Sequence, residues 1–107
     1  ADQDNQPFTP DEQTQVKKAL DEIKAYLIKT HKLSGDRLEA TERQLSYLEE
    51  AATRLGRKDW TVILLGSLLG MVSNLSLSAD STKDLFRFAG QIVKQLLGTI
   101  LYLAAPH

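Results

Sequence analysis

The chain has 107 residues, no cysteine and a formal net charge of −1 at pH 7. This length suits one domain with a single hydrophobic core, and the lack of cysteine excludes disulfides, thiolate metal sites and cysteine nucleophiles. The balanced charge argues against a nucleic-acid partner, because proteins that bind nucleic acids normally carry a concentrated basic face.

The charged residues are distributed unevenly. Residues 1–59 contain most of them, whereas no Asp, Glu, Lys or Arg occurs between Trp60 and Ala79. Together with the helical periodicities below, this predicts an all-α fold of four helices. We expect a disordered N-terminus (1–8) and one helical domain (9–107), in which a charged heptad-patterned hairpin (9–56) precedes an apolar hairpin (59–105).

The first helix has a clear start. Thr9 is a good N-cap, Pro10 suits the first helical position, and Glu12 completes a capping box. Apolar residues then follow at spacings of four, three and four, which makes one stripe: Val16, Leu20, Ile23 and Leu27. The helix is expected to end near Lys32.

The second helix is predicted from about Asp36 to Leu55 by a heptad seam of Leu38, Thr41, Leu45, Leu48, Ala52 and Leu55. Two such seams joined by a short loop favour an antiparallel helical hairpin. Gly56 stands where a glycine often follows a helix end, and Asp59 is predicted to be the N-cap of the third helix.

The third helix is predicted from Trp60 to Leu77. Gly66 and Gly70 lie one turn apart, although a glycine inside a helix costs about 1 kcal/mol relative to alanine. The pair therefore indicates close approach of another backbone. That approach is either a crossing inside one bundle, a crossing between subunits or a crossing of helices in a membrane.

The fourth helix is predicted from Thr82 to about Ala104, with Ser81 as its cap. A polar stripe runs along it, and the opposite face is broadly apolar. Arg87 and Lys94 lie in its first half, which disfavours a transmembrane hairpin because charges near the bilayer centre are costly.

The last two helices are apolar over most of their circumference, which is more apolar surface than the narrow stripes of the first two helices can cover. We therefore expect a homo-oligomer, with a two-fold dimer as the default. The predicted interface and packing residues are Trp60, Gly66, Leu69, Gly70, Ser73, Phe86, Phe88, Ile92, Leu96 and Ile100. The predicted helix-junction residues are Gly56, Arg57, Lys58 and Asp59.

Candidate chemistry is sparse. His31 is interpreted as a residue at a helix end and His107 is terminal, so neither has the spacing of a zinc site. The adjacent carboxylates lie on charged helix faces, and no serine has a nearby base. We therefore predict no enzyme activity, no catalytic or metal-binding residues and no cofactor.

One segment has a distinctive pattern, from Tyr47-Leu48 through Glu50-Ala51-Ala52 to Arg54-Leu55-Gly56-Arg57-Lys58-Asp59-Trp60. It resembles the centre of a group of short, uncharacterised bacterial helical proteins, mainly over residues 45–70. The resemblance implies a bacterial source and no mechanism. In a structural interpretation, Trp60 packs into the junction, while Arg57 and Lys58 pair with Glu49 and Glu50 or face phospholipid.

Three functions agree with these observations. The first is a self-associating helical interaction module, a partner or regulator of a larger protein, in the cytoplasm. The second is a membrane-active effector that uses residues 60–105 at the cytoplasmic face of the inner membrane. The third is a small-molecule site in the bundle interior near Trp60, Met71, Phe86 and Phe88.

Overall fold

The computed structural model describes the backbone of residues 5–104 and the side chains of residues 5–96. Within this part, the chain forms four α-helices and no strand. They are α1 (Pro10–His31), α2 (Gly35–Ala51), α3 (Arg57–Asn74) and α4 (Ala79–Ala104). The predicted all-α class is therefore confirmed.

The helices form a bundle. Helix α1 packs against α2 and α4, and α2 packs against α3. The charged hairpin of α1 and α2 forms as expected. Helices α3 and α4 are not among these closely packed pairs, so the apolar hairpin expected over 59–105 is open, with a groove between its helices.

The start of α1 follows the prediction. The Thr9 hydroxyl accepts a hydrogen bond from the Glu12 amide at 3.2 Å, and a Glu12 carboxylate oxygen accepts one from the Thr9 amide at 2.8 Å. At the other end, Lys32 adopts a left-handed conformation with φ of 52° and closes the helix. Both ends of α1 are thus confirmed.

The predicted link between α2 and α3 was wrong in two respects. Helix α2 ends at Ala51, and Gly56 is the N-cap of α3 with an extended φ of −70° rather than the left-handed residue after α2. Asp59 lies inside the first turn of α3. An acidic residue in the first turn interacts favourably with the positive end of the helix dipole. Aspartate is therefore common both at the N-cap and in the first turn, and the sequence alone does not distinguish the two positions.

The turn before α4 also differs from the prediction. Helix α3 ends at Asn74 and α4 begins at Ala79. The Ser78 hydroxyl, rather than that of Ser81, performs the capping role, since it accepts a hydrogen bond from the Ser81 amide at 3.1 Å. Serine occupies several positions in this turn, so the sequence alone did not identify which one caps the helix.

The core combines the predicted stripes. Val16 and Leu27 of α1 are fully buried, as is Leu48 of α2. Each of the four helices adds further buried side chains to one cluster, among them Leu20, Ile23, Leu45, Trp60, Leu64, Leu68, Leu85 and Ile92. Among the described residues, no helix combines the length and the apolar character that crossing a membrane requires.

Candidate interaction surface

The predicted interface and packing residues separate into three groups. Trp60, Ile92 and Leu96 belong to the core. Phe86, Phe88 and Gly70 are partly buried, whereas Gly66, Leu69 and Ser73 are exposed. The side chain of Ile100 lies outside the described residues. The exposed group, and the exposed parts of the partly buried group, can contact another molecule.

The junction residues hold the segment that precedes α1. Residues 5–8, here called the strap, lie across the start of α3. The side chain of Asn5 makes two hydrogen bonds to Asp59. Its Nδ2 donates to the Asp59 carboxylate oxygen Oδ2 at 2.9 Å, and its Oδ1 accepts from the backbone N–H of Asp59 at 3.0 Å. The Arg57 amide donates to the Gln6 carbonyl at 3.0 Å. The strap therefore packs on the fold, although residues 1–8 were expected to be disordered; residues 1–4 lie outside the described part.

Gly56 makes this packing sterically feasible. A Cβ at this position would overlap the backbone oxygen and side chain of Asn5. The glycine is therefore explained by the close approach of the strap and not by its backbone angles. Sequence reasoning did not identify this role, because the strap carries no helical or strand periodicity.

A buried ion pair connects the strap junction to α1. One Arg57 nitrogen donates to both Glu12 carboxylate oxygens, at 2.7 and 2.8 Å, and the two side chains are 14% and 4% exposed. Burial raises the pKa of Glu12, but the hydrogen bonds from the Thr9 amide and from Arg57, with the Arg57 charge, together hold that pKa below its ordinary value. The Glu12 carboxylate thus has two functions: it caps the N-terminus of α1, and it forms an ion pair with Arg57 of α3.

The partner predicted for Arg57 was therefore wrong: it pairs with Glu12 rather than with Glu49 or Glu50. Glu50 instead forms the expected pair with Arg54, with nitrogen–oxygen distances of 2.6 and 2.9 Å. Both members of that pair are exposed, so it contributes little to stability. Nothing in the sequence spacing links Arg57 to Glu12, which lies 45 residues away.

Trp60 packs into the junction as predicted. Its indole nitrogen donates to the Leu48 carbonyl at 2.8 Å, and the ring is 1% exposed. Phe8 of the strap meets the indole edge-on, with the ring centroids 5.6 Å apart. Together the motif residues 56–60 join the strap, α2 and α3, which is an architectural function.

The outer side of α3 carries an exposed apolar row that we call the α3 stripe: Val62, Leu65, Gly66, Leu69 and Ser73. Val62 is 64% exposed, Leu65 49% and Leu69 60%. Spacings of three and four residues place them on one side of the helix. A Cβ at Gly66 would meet no atom within 4 Å, so this glycine is not explained by packing inside the bundle. A Cβ at Gly70 would lie 3.7 Å from the side-chain nitrogen of Gln44 in α2, which is an ordinary van der Waals contact.

The stripe continues into the groove between α3 and α4. This groove has a volume of about 110 Å³ and is mainly apolar. Its walls are formed by Thr61, Leu64, Leu65, Leu68, Phe86, Ala89, Gly90 and Val93. Leu65 belongs to both surfaces, so the groove and the stripe form one continuous apolar face.

The structure offers less for small-molecule chemistry. The groove has a volume of about 110 Å³, and a cleft between α1 and α2 beside Leu20 and Leu45 has a volume of about 180 Å³. Both lie below the roughly 300 Å³ at which ligand pockets begin. Phe88 stacks on Tyr26, with the ring centroids 4.3 Å apart. Within the described residues, no group of three or more His, Asp or Glu side chains is placed to hold a metal ion.

Comparison of the chain with family models, with curated proteins and with solved structures finds no match.

Proposed function

We propose that this chain is a non-enzymatic helical module that self-associates through the apolar face of α3 and its groove with α4. The observation that carries the proposal is the exposure of Val62, Leu65 and Leu69 on one side of a helix. Contiguous apolar patches on a protein surface commonly mark interaction sites. As a module of this kind, it serves as a partner or regulator of a larger protein.

The chemistry of the face favours a second copy as its occupant. No Asp, Glu, Lys or Arg occurs between Trp60 and Ala79, so the stripe offers no charge with which a charged partner surface would pair. A second copy supplies the same apolar face, and a two-fold contact uses one patch on both molecules.

The proposal implies a weak or moderate association. Complete burial of a Val or Leu side chain contributes about 1.5–3 kcal/mol, so each half-exposed residue of the stripe can contribute about 1 kcal/mol. Six such side chains in a dimer contribute roughly 6 kcal/mol, close to the lower end of the roughly 4–15 kcal/mol cost of association. Burial of the groove between α3 and α4 must therefore supply further free energy. Because the net gain is small, we expect the fraction of dimer to depend on protein concentration.

Sedimentation over a range of protein concentrations tests the proposal. Replacement of Leu69 by Glu places a charge at the centre of the face, and we expect the dissociation constant to rise by more than about tenfold, equivalent to roughly 1.4 kcal/mol. The matched control is Ile28→Glu, which adds the same charge at a 38% exposed position of α1. A monomer at every concentration, or equal effects of both substitutions, contradicts the proposal.

The same face could instead contact lipid, which corresponds to the membrane-active alternative. Flotation with phospholipid vesicles distinguishes the two. Under the proposal, the protein stays in the vesicle-free fraction at concentrations where it dimerises. Flotation that Leu69→Glu abolishes and Ile28→Glu preserves would assign the α3 stripe to a bilayer surface and overturn self-association as its function.

A further inference from the structure

We propose that residues 5–9 form a latch that caps two helices at once, so that the strap and the first turn of α3 open and close together. Thr9, at one end of this segment, is the N-cap of α1. Asn5, at the other end, caps α3 in place of Gly56, because that N-cap residue has no side chain with which to do so. The latch is independent of self-association through the α3 stripe.

The contacts of Asn5 reproduce a capping box between residues that are 54 positions apart. In a capping box, the N-cap side chain accepts from the amide of the third helical residue, whose own side chain binds back to the N-cap. The third residue of α3 is Asp59. Its amide donates to Asn5 Oδ1 at 3.0 Å, and its carboxylate accepts from Asn5 Nδ2 at 2.9 Å. The side chain of Asn5 therefore completes both halves of the box.

The strap also supplies a second acceptor to the start of α3. The first four N–H groups of an α-helix have no acceptor inside the helix. The Arg57 amide donates to the Gln6 carbonyl at 3.0 Å, and the Asp59 amide donates to Asn5. The N-cap residue of α3 contributes no side-chain hydrogen bond of its own. Release of the strap would thus remove the acceptors of two first-turn amides together.

The distribution of burial makes this opening local. Phe8 is 4% exposed, whereas Gln6 and Pro7 are exposed, so one apolar side chain anchors the strap. Segments with few buried apolar contacts and exposed hydrogen bonds open at a lower free energy than the whole domain. Trp60 marks the limit of the opening, because its ring is 1% exposed and its indole nitrogen is bonded to the Leu48 carbonyl.

Amide hydrogen exchange, followed by NMR on the full chain, tests the coupling. Asn5→Ala removes the cap and leaves Phe8 in place. We expect the Asp59 and Arg57 amides to exchange at least about fivefold faster, in line with the loss of an N-cap, although Asn5 makes no side-chain bond to Arg57. The matched control is Gln6→Ala, which removes an exposed side chain, keeps the carbonyl and should leave both rates almost unchanged.

Two other results would overturn the latch. Faster exchange at Asp59 with an unchanged rate at Arg57 would show a local cap that is not coupled to the rest of the strap. An equal rise at both amides and at the buried Leu20 of α1 would show that the strap opens only when the whole domain unfolds.

A matched pair of substitutions at Gly56 separates capping from docking. Gly56→Ser and Gly56→Ala both place a Cβ where it overlaps Asn5, so both should displace the strap. A red-shifted Trp60 fluorescence maximum would report the departure of Phe8 in each variant. Serine is a good N-cap and alanine is a poor one, so we expect the Asp59 amide to exchange at least about threefold more slowly in Gly56→Ser. Equal rates in the two variants, or unchanged fluorescence in both, would overturn the latch.

Discussion

Replacing Arg57 with methionine should destabilise the protein strongly, because the substitution leaves Glu12 as a buried carboxylate without its cation. Glu12 is 3% exposed and receives two hydrogen bonds from one Arg57 nitrogen. Removal of one partner from a buried ion pair costs about 3–5 kcal/mol. Since the Arg57 side chain retains 14% exposure, we expect the lower end of this range, about 3 kcal/mol.

The measurement is urea unfolding at neutral pH, followed by the fluorescence of Trp60, the only tryptophan in the chain. A loss of about 3 kcal/mol is a large part of the roughly 5–15 kcal/mol that stabilises a typical domain. It would therefore move the midpoint of unfolding clearly. The matched control is Arg54→Met, which breaks the exposed pair with Glu50 and should leave the midpoint almost unchanged.

The destabilisation should also depend on pH. In the parent chain the pKa of Glu12 is lowered from its ordinary value of 4.5, so its contribution to stability is present above that value and is lost as the pH falls through the folded pKa. In Arg57→Met the hydrogen bonds and charge of Arg57 are absent while burial remains, so the pKa of Glu12 rises relative to the parent.

The difference in unfolding free energy between parent and variant should consequently be largest near neutral pH and shrink as Glu12 becomes protonated in acid. The double variant Glu12→Gln with Arg57→Met removes the buried charge and should recover part of the loss at neutral pH. A loss no larger than that of Arg54→Met, or one that is the same at neutral and acid pH, would refute the assigned role of the pair.

Three further predictions concern the strap junction. Gly56→Ala should cost about 1–3 kcal/mol through overlap with Asn5, and urea unfolding should show a smaller cost in a chain that lacks the strap. Trp60→Phe should cost about 1 kcal/mol or more, because the Leu48 carbonyl loses the indole donor and keeps only the Ala52 amide, and because the smaller ring leaves a cavity in the core. Thermal unfolding followed by circular dichroism would report this loss, and an unchanged melting temperature would contradict it. Phe8→Ala should expose the Trp60 indole, seen as a red-shifted fluorescence maximum and faster quenching by iodide, whereas unchanged spectra would show that the strap does not cover the ring.

Local patterns in the sequence predicted much of the fold. The capping box at Thr9 set the start of α1, and the stripes containing Val16 and Leu48 identified the buried faces of α1 and α2. These signals act between residues a few positions apart, so one sequence is enough to read them. The polar side of α4 was predicted for the same reason, and Arg87 and Lys94 are exposed on it.

Contacts between distant residues could not be predicted in this way. Glu12 and Arg57 are each common on exposed helix faces, and neither residue's neighbours in sequence indicate the other. The strap has no periodicity, so its packing against Gly56 became visible only when the two segments were placed together. The shift of the α3 start from the predicted Trp60 to Arg57 has the same origin, because Gly56 and Asp59 each suit more than one position near a helix end.

The outer face of α3 gives the clearest physical reason to expect a missing neighbour. Large apolar residues occur all around this helix, so the sequence alone did not show which side faces the core. The structure turns Leu64, Leu68 and Met71 inward and leaves Val62 and Leu69 exposed. A helix that is apolar on every side is normally buried on every side. Helix α4, in contrast, directs charged residues outward and needs no cover on that side. Under the proposed self-association, the open side of α3 is where a second copy packs, and a dissociation constant that Leu69→Glu raises and Ile28→Glu leaves unchanged is the observation that this argument requires.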